Sequence, residues 1–375
     1  MEQQEIINAI ALTRIGYFNL AGWGALCRKL GSATAVMDHR HHIRDILPDA
    51  SPRLVHALDN VGDAIHRAEA ELEWDLAHGV EPLCMGDDRY PQRLKDCPDA
   101  PLVLFYRGSA DLNSSRVISV VGTRRATAYG KDLIDRFMSN LRQLCPHVLV
   151  VSGLAYGIDI FAHRAALNNG YETAGVLAHG LDDLYPTAHR QTAEEMERHG
   201  GLLTEFLTGT NADKMNFVRR NRIVAGVADA CILVESAARG GGLITCSIAR
   251  SYAREVFAFP GPVGAPYSEG CNHLIRDNAA ALITGAADFV QAMGWEEERK
   301  ITDSRRAGIE RQLFPDLSDD EKRIVSALER HNDLQINMLS AQADIPIARL
   351  TALLFSLEMK GVVRTLAGGM YHLIG

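Results

Sequence analysis

Five short apolar segments in this chain each end at glycine or at small polar residues. They span residues 117–121, 148–151, 173–177, 230–234 and 256–259, and helical stretches separate them. Short apolar segments alternating with helices predict an α/β fold, with a parallel sheet and crossover helices. Ligands of such sheets bind beyond the carboxyl ends of the strands. We therefore expect the functional site at that edge of the sheet.

The residues that follow these segments are suited to binding phosphate. Backbone N–H groups at strand ends and helix starts, together with guanidinium groups, favour anions. The candidate groups are Gly122, Thr123, Arg124, Arg125 and Lys131; Ser152 and Gly153; Phe217, Arg220, Asn221 and Arg222; and Gly240, Gly241 and Gly242. Taken singly, each stretch is also compatible with an ordinary turn or a solvated charged face.

The charge balance restricts how nucleic acid would be bound. The net charge is −8, so the chain as a whole does not attract a polyanion, and any such site must be a local patch. Two basic segments qualify, one between Arg116 and Arg142 and one between Lys214 and Arg222. The second contains no acidic residue.

The cysteines and the apolar segments indicate the compartment. The seven cysteines are odd in number and form no CxxC pair, which predicts reduced cytoplasmic thiols and no metal site. No apolar stretch approaches the roughly 20 residues of a membrane span. We expect no cofactor and a cytoplasmic location.

The chain divides into four predicted regions. Residues 1–79 are helical and resemble a helix-hairpin-helix or SAM-like bundle. Residues 80–295 form the α/β core, in which 80–115 are a connector with an edge strand at 102–106. Residues 296–318 have few apolar positions and predict a charged linker. Residues 319–375 follow the winged-helix order of three helices and a hairpin. The third of these helices has few cations, which favours a protein contact over DNA reading.

Asp159 and His163 are four residues apart on a predicted helix. An Asp–His pair at this spacing is compatible with acid–base chemistry, and equally with a helix start that has no catalytic role. The sequence leaves both interpretations open.

Several motifs in fixed order strongly resemble the bacterial DNA-processing protein A family, also called Smf. They are Arg89-Tyr90-Pro91, Val120-Val121-Gly122-Thr123-Arg124, Ser152-Gly153-Leu154-Ala155-Tyr156-Gly157-Ile158-Asp159, Gly180-Leu181-Asp182, Arg220-Asn221-Arg222, Gly242-Leu243-Ile244-Thr245 and Gly270-Cys271-Asn272-His273. The match is close between about residues 86 and 283 and looser outside them.

The resemblance implies an extended Rossmann-like core that binds single-stranded DNA. Members protect incoming strands during natural transformation, load the RecA recombinase, act as homodimers through the core and are not known as enzymes. It implies a phosphate-binding role for Arg124 and places Arg220 and Arg222 near the same pocket. Phe217, Tyr156 and Tyr129 are candidate stacking platforms for bases.

Two departures from the family pattern affect the expected site. Gly240-Gly241-Gly242 replaces hydroxyl residues, which leaves backbone donors there, and Glu172 stands where some members have a DNA-contacting lysine. We expect Glu172 to repel phosphate at that edge.

Two alternatives to DNA binding remain. One is an enzyme similar to the related Rossmann-like phosphoribohydrolases, but those have a glutamate three residues after the threonine of a glycine-rich motif, where this chain has Ile248. A nucleotide-binding module with a small phosphorylated ligand is the other.

Overall fold

The computed structural model describes residues 2–295, 317–330, 332, 334–366 and 370–373. Nearly all of the predicted linker, 296–316, lies outside the described residues. The chain forms two compact units, residues 1–296 and 297–375. No helix in the described part of the chain is long and apolar enough to cross a membrane.

Six helices open the first unit. They are α1 (Gln3–Arg14), α2 (Leu20–Leu30), α3 (Ala33–Asp38), α4 (Ile43–Ile46), α5 (Pro52–Asp59) and α6 (Gly62–Ala77). Asn19, Ser32 and Ser51 accept hydrogen bonds from the first turns of α2, α3 and α5, which explains why these short helices begin where they do. Their apolar faces join the same buried cluster as the first strands of the sheet, through Ile10, Trp23 and Leu54. The division at residue 79 remains a prediction.

A nine-stranded sheet organises the rest of this unit. Its order is β1-β2-β6-β5-β4-β3-β7-β8-β9. The strands are β1 (Glu81–Cys84), β2 (Val103–Gly108), β3 (Val117–Val121), β4 (Leu149–Ser152), β5 (Thr173–Val176), β6 (Gly200–Thr204), β7 (Ala230–Leu233), β8 (Glu255–Ala258) and β9 (Ala281–Leu282). Strands β3 to β9 pair in parallel, and β1 and β2 are antiparallel. The predicted α/β class with a parallel sheet is confirmed.

The predicted edge position of the 102–106 strand is wrong. β2 lies between β1 and β6, and β1 is the edge.

The helices of this region are α7 (Gln92–Lys95), α8 (Ala128–Leu144), α9 (Ile158–Asn168), α10 (Arg190–Arg198), α11 (Lys214–Gly226), α12 (Gly241–Ser251), α13 (Glu269–Arg276) and α14 (Ala286–Ala292). The crossover helices cover the sheet, so the carboxyl ends of the parallel strands open at one edge.

The second unit has the predicted winged-helix order. It contains α15 (Asp319–Arg330), β10 (Leu334–Gln335), α16 (Ile336–Ala343), α17 (Ile347–Met359), β11 (Val363–Leu366) and β12 (Met370–Leu373). β12 pairs with both β10 and β11, and Ile324, Leu339 and Leu354 lie in a core of its own.

Glu321 ties α15 to α17. Its carboxylate accepts hydrogen bonds from the Lys360 ammonium at 2.7 and 2.9 Å, from the Ser356 hydroxyl at 2.9 Å and from the Ser318 N–H at 2.8 Å. Burial alone would raise the pKa of Glu321, but these hydrogen bonds have the larger combined effect and lower the pKa to about 2. Because the pKa is depressed in the folded state, the stabilisation is present above the ordinary carboxyl pKa and is lost as the pH falls towards 2.

Glu321→Gln is expected to destabilise the second unit by roughly 2 kcal/mol at neutral pH and much less near pH 3.5. Hydrogen exchange of α17, compared between variant and parent at each pH, measures the difference. Asp319→Asn is the control, because Asp319 is fully exposed and lies 3.7 Å from Lys322. An equal effect of Glu321→Gln at both pH values would contradict the pKa assignment.

Candidate nucleic-acid interface

A pocket of about 690 Å³ opens at the carboxyl ends of β3, β4 and β7. The starts of α9 and α12 and one face of α11 complete its wall. Ten of the fourteen candidate residues line it: Gly122, Thr123, Arg124, Gly153, Phe217, Arg220, Asn221, Gly240, Gly241 and Gly242. Strand ends and helix starts thus bring four separated stretches of sequence into one cavity.

Arg220 lies deep in this pocket. The residue is 3% exposed, and in the described part of the chain it has no ion pair and its Nε has no hydrogen-bond partner. A Cβ on Gly153 would lie 1.6 Å from Arg220 Nη1, so glycine is required for the guanidinium to reach the end of β4. Burial lowers the pKa of Arg220 to about 10, and the nearby Asp159 carboxyl opposes that fall. A buried cation that has no carboxylate within ion-pair distance is suited to binding an anion from a ligand.

Arg124 lies at the mouth of the same pocket. Its Cζ is 4.7 Å from the centre of the Phe217 ring, and Arg220 Cζ is 5.8 Å from the same ring. The Tyr185 ring lies 6.0 Å from Phe217 and is exposed. Phe217 therefore orients two guanidinium groups through its π face, and the two rings form an aromatic rim.

The first turn of α12 supplies backbone donors. Gly240 caps the helix without a side chain, and no described residue accepts from the N–H groups of Gly240, Gly241 or Gly242. Uncapped N–H groups and the helix dipole favour an anion at this position. Lys214 and Arg239 add positive charge to the wall, and Asp159 is the one carboxylate among the described lining residues.

Glu235 fixes the loop that carries Arg124. Its carboxylate accepts from the Thr127 N–H at 2.9 Å and the Thr127 hydroxyl at 2.6 Å, and its carbonyl accepts from the Thr123 N–H at 2.8 Å. Gly130 leaves space for the carboxylate, since a Cβ there would lie 2.2 Å from Oε2. The Thr123 N–H is therefore not free for a ligand. The one signal for Glu235 in the sequence is that an acidic residue directly follows a predicted buried strand.

The expectation that Arg222 lies near the pocket is wrong. Its guanidinium forms an ion pair with Glu205 and donates to the Asp99 carbonyl at 2.7 Å. Both charged side chains are less than a tenth exposed. Burial raises the pKa of Glu205, and the Arg222 charge opposes that rise. Arg222 has a structural partner and lies outside the pocket lining.

Three other candidates also lie outside the lining. The Ser152 hydroxyl is buried and donates to the Val120 carbonyl at 2.6 Å. The Lys131 ammonium lies 4.5 Å from the Phe161 ring, and Arg125 is exposed on the loop beside Arg124.

Of the expected stacking platforms, only Phe217 lines the pocket. The Tyr129 hydroxyl donates to the Pro260 carbonyl at 2.7 Å, and the Tyr156 ring packs edge-on against His189. Glu172 directly precedes β5 and so lies at the amino ends of the parallel strands, the edge opposite the pocket. The repulsion expected from Glu172 does not reach this site.

Asp159 and His163 face different surroundings. Asp159 lines the pocket, where burial raises its pKa and the Arg220 charge opposes that rise. His163 is fully buried, its Nδ1 lies 2.7 Å from the Thr173 hydroxyl, and burial lowers its pKa to about 3. The helical spacing therefore does not place the imidazole in the cavity. Within the described residues no group of three potential metal ligands lies together.

Two family models match the chain. The model for DNA recombination-mediator protein A matches residues 81–294, and the model for the DprA winged helix domain matches residues 310–369. The protein Smf of Escherichia coli is 32% identical over 81% of this chain and 80% of its own length.

Two solved structures share the fold. That of DNA processing protein A from Streptococcus pneumoniae is 35% identical and covers 68% of this chain and 86% of its own, with a TM-score of 0.60. That of DNA processing protein A from Helicobacter pylori, described for its single-stranded DNA binding mode, is 26% identical and covers 57% and 95%, with a TM-score of 0.52. The resemblance in the motifs is thus confirmed by sequence and by fold, and this chain belongs to the DNA recombination-mediator protein A family, also known as DNA-processing protein A or Smf.

Proposed function

We propose that this protein binds single-stranded DNA in the pocket and does no chemistry on it. The observation that carries the proposal is that Arg124 and Arg220 face the uncapped start of α12 and that, among the described residues, neither forms an ion pair with the one carboxylate of the pocket, Asp159. These groups recognise the sugar–phosphate backbone, while the Phe217 and Tyr185 rim is available to an unpaired base. The single-stranded DNA binding mode described for the Helicobacter pylori relative supports the same ligand.

The proposed role in the cell follows from family membership. The protein acts as a cytoplasmic homodimer that protects incoming strands during natural transformation and loads the RecA recombinase on them. Arg125 and Lys131, next to the pocket, extend the backbone contacts.

Arg124→Ala is expected to weaken binding to a labelled oligothymidine about tenfold, because one charge-assisted phosphate contact is lost. The slope of log K against log salt should fall by about 0.7, as for one phosphate of a single strand. Fluorescence anisotropy at several salt concentrations measures both quantities.

Arg250→Ala is the matched control for this experiment. Arg250 is exposed in the last turn of α12, about 13 Å along the helix from Gly241. Its substitution by alanine removes the same charge as Arg124→Ala. Equal losses of affinity in the two variants would mean that only net charge matters, and would contradict the assignment of the DNA-binding site to the pocket. A duplex of the same length should bind much more weakly than the single strand.

The proposed loading role needs a separate experiment, which measures the nucleation of RecA on single strands coated with this protein.

A further inference from the structure

Asp159 is the one carboxylate among the described residues that line the pocket, and the backbone of a DNA strand offers it no hydrogen-bond donor. An ionised carboxylate repels phosphate and only accepts hydrogen bonds. The phosphates of the strand also only accept, and its deoxyriboses lack the 2′-hydroxyl group. Along a DNA strand the donors are therefore on the bases.

Asp159 lies at the end of the pocket that holds the two arginines. The Ile158 N–H donates to the Thr123 carbonyl at 3.1 Å, so the start of α9 packs against the loop that carries Arg124. Burial raises the pKa of Asp159, and the nearby charges of Arg220 and Arg124 oppose that rise. A ligand group that reaches Asp159 is therefore next to the phosphate that the arginines bind. In a nucleotide that group is the sugar, because the donor edge of the base is several bonds further away.

A ribose has the donors that a deoxyribose lacks. Its 2′- and 3′-hydroxyl groups are on adjacent carbons and can donate together to the two oxygens of one carboxylate. Dinucleotide-binding α/β folds use an acidic residue to bind a ribose hydroxyl, with the phosphate at a helix N-terminus. Inside an RNA strand the 3′-oxygen belongs to the phosphodiester, so only a free nucleotide presents both hydroxyls.

The cationic end of the pocket suits a terminal phosphate. Arg220 is 3% exposed, and its Nε has no hydrogen-bond partner among the described residues. A Cβ on Gly242 would lie 3.2 Å from Gly122 Cα, so the free N–H groups at the start of α12 lie directly against the end of β3. A terminal phosphate has a charge of about −1.5 to −2 and three acceptor oxygens. A phosphodiester has a single charge, so it gains less from the same donors.

We propose that the pocket also binds a free ribonucleoside 5′-monophosphate. Its phosphate contacts Arg220 and the start of α12, its ribose hydroxyls donate to Asp159, and its base stacks on the aromatic rim. The cavity volume of about 690 Å³ is within the roughly 300–1,000 Å³ of small-molecule sites. Because nucleotide and strand use the same cations, each excludes the other. This competition rests on the proposed function, whereas the nucleotide site itself does not.

Calorimetry of the full-length protein with AMP and with 2′-deoxy-AMP tests the ribose contact. AMP should bind about tenfold more tightly, because 2′-deoxy-AMP lacks one donor to a charged acceptor. AMP should also displace labelled oligothymidine, measured by fluorescence anisotropy, at concentrations close to its own Kd. These measurements use the parent protein and so do not depend on the folding of a variant.

Asp159→Asn assigns the preference for ribose to this carboxylate. The ratio of the AMP and 2′-deoxy-AMP affinities should fall below about twofold, because the charged acceptor is lost. The affinity for oligothymidine should rise about threefold, because a negative charge leaves the pocket. Asp135→Asn is the charge-matched control on the exposed face of α8, and both quantities should stay at the parent values.

The possible results separate this inference from the proposed function. No preference for AMP over 2′-deoxy-AMP, or a preference that Asp159→Asn leaves intact, would overturn the ribose contact. A preference for oligouridine over oligodeoxyuridine, with none for AMP, would assign Asp159 to an RNA strand and also overturn it. If oligothymidine binding depends on Arg124 and AMP does not bind, the DNA site stands and the nucleotide site fails. If AMP binding depends on Asp159 and oligothymidine does not bind, the nucleotide site stands and the proposed function fails.

Discussion

Arg222→Met is expected to lower the free energy of unfolding of the first unit by about 3–5 kcal/mol. The substitution leaves the buried Glu205 with only the half-exposed Arg219, 3.8 Å away, and one oxygen of this carboxylate, Oε1, already has no hydrogen-bond partner among the described residues. The Asp99 carbonyl also loses the donor that lies 2.7 Å away. Breaking one side of a buried ion pair is more damaging than removing both sides.

Denaturant unfolding followed by circular dichroism measures this loss. The double variant Arg222→Met with Glu205→Leu should recover most of it, because no uncompensated charge remains. Arg219→Ala is the surface control and should change stability by less than about 1 kcal/mol, since Arg219 is half exposed and 3.8 Å from Glu205. A small effect of Arg222→Met, together with a large loss of DNA affinity in the folded protein, would return Arg222 to the binding site.

The two arginines of the Arg-Asn-Arg motif show where sequence interpretation stops. Residues two positions apart on a helix point about 200° apart, so Arg220 and Arg222 on α11 must face different surroundings. The motif identifies both, but only the fold shows that one faces the cavity and the other faces Glu205 and Asp99. Glu205 comes 17 residues earlier, and nothing in its local sequence predicts the pairing.

The regular elements were easier to predict than the partners. The strand at 117–121 has the predicted bounds, because a short apolar segment that ends at a glycine is a local signal. β6 was missed because it begins with Gly200 and Gly201, which weaken strand propensity, and is held by pairing with β2 and β5. Strand order and the pairing of Glu235 with Thr127 depend on contacts distant in sequence, which periodicity does not report.

Arg220→Met is expected to have opposite effects on stability and on binding. The unliganded protein should become more stable by about 1 kcal/mol, because burial of the Arg220 cation outweighs its attraction to Asp159, and methionine has a similar length and still contacts Phe217. The fall in the pKa of Arg220 to about 10 has the same origin, since burial disfavours the charged form. Affinity for single-stranded DNA should fall about 30-fold or more, because the ligand phosphate then loses its most desolvated partner.

The two measurements together discriminate between a structural and a ligand-directed guanidinium. Denaturant unfolding without DNA measures the change in stability, and anisotropy with oligothymidine measures the change in affinity. Arg220→Lys is the informative comparison: it keeps the charge but not the planar fork, so it should stay close to the parent in stability and recover only part of the affinity. If Arg220→Met instead destabilises the free protein as Arg222→Met does, then Arg220 has an internal partner and the pocket is not built to receive an anion.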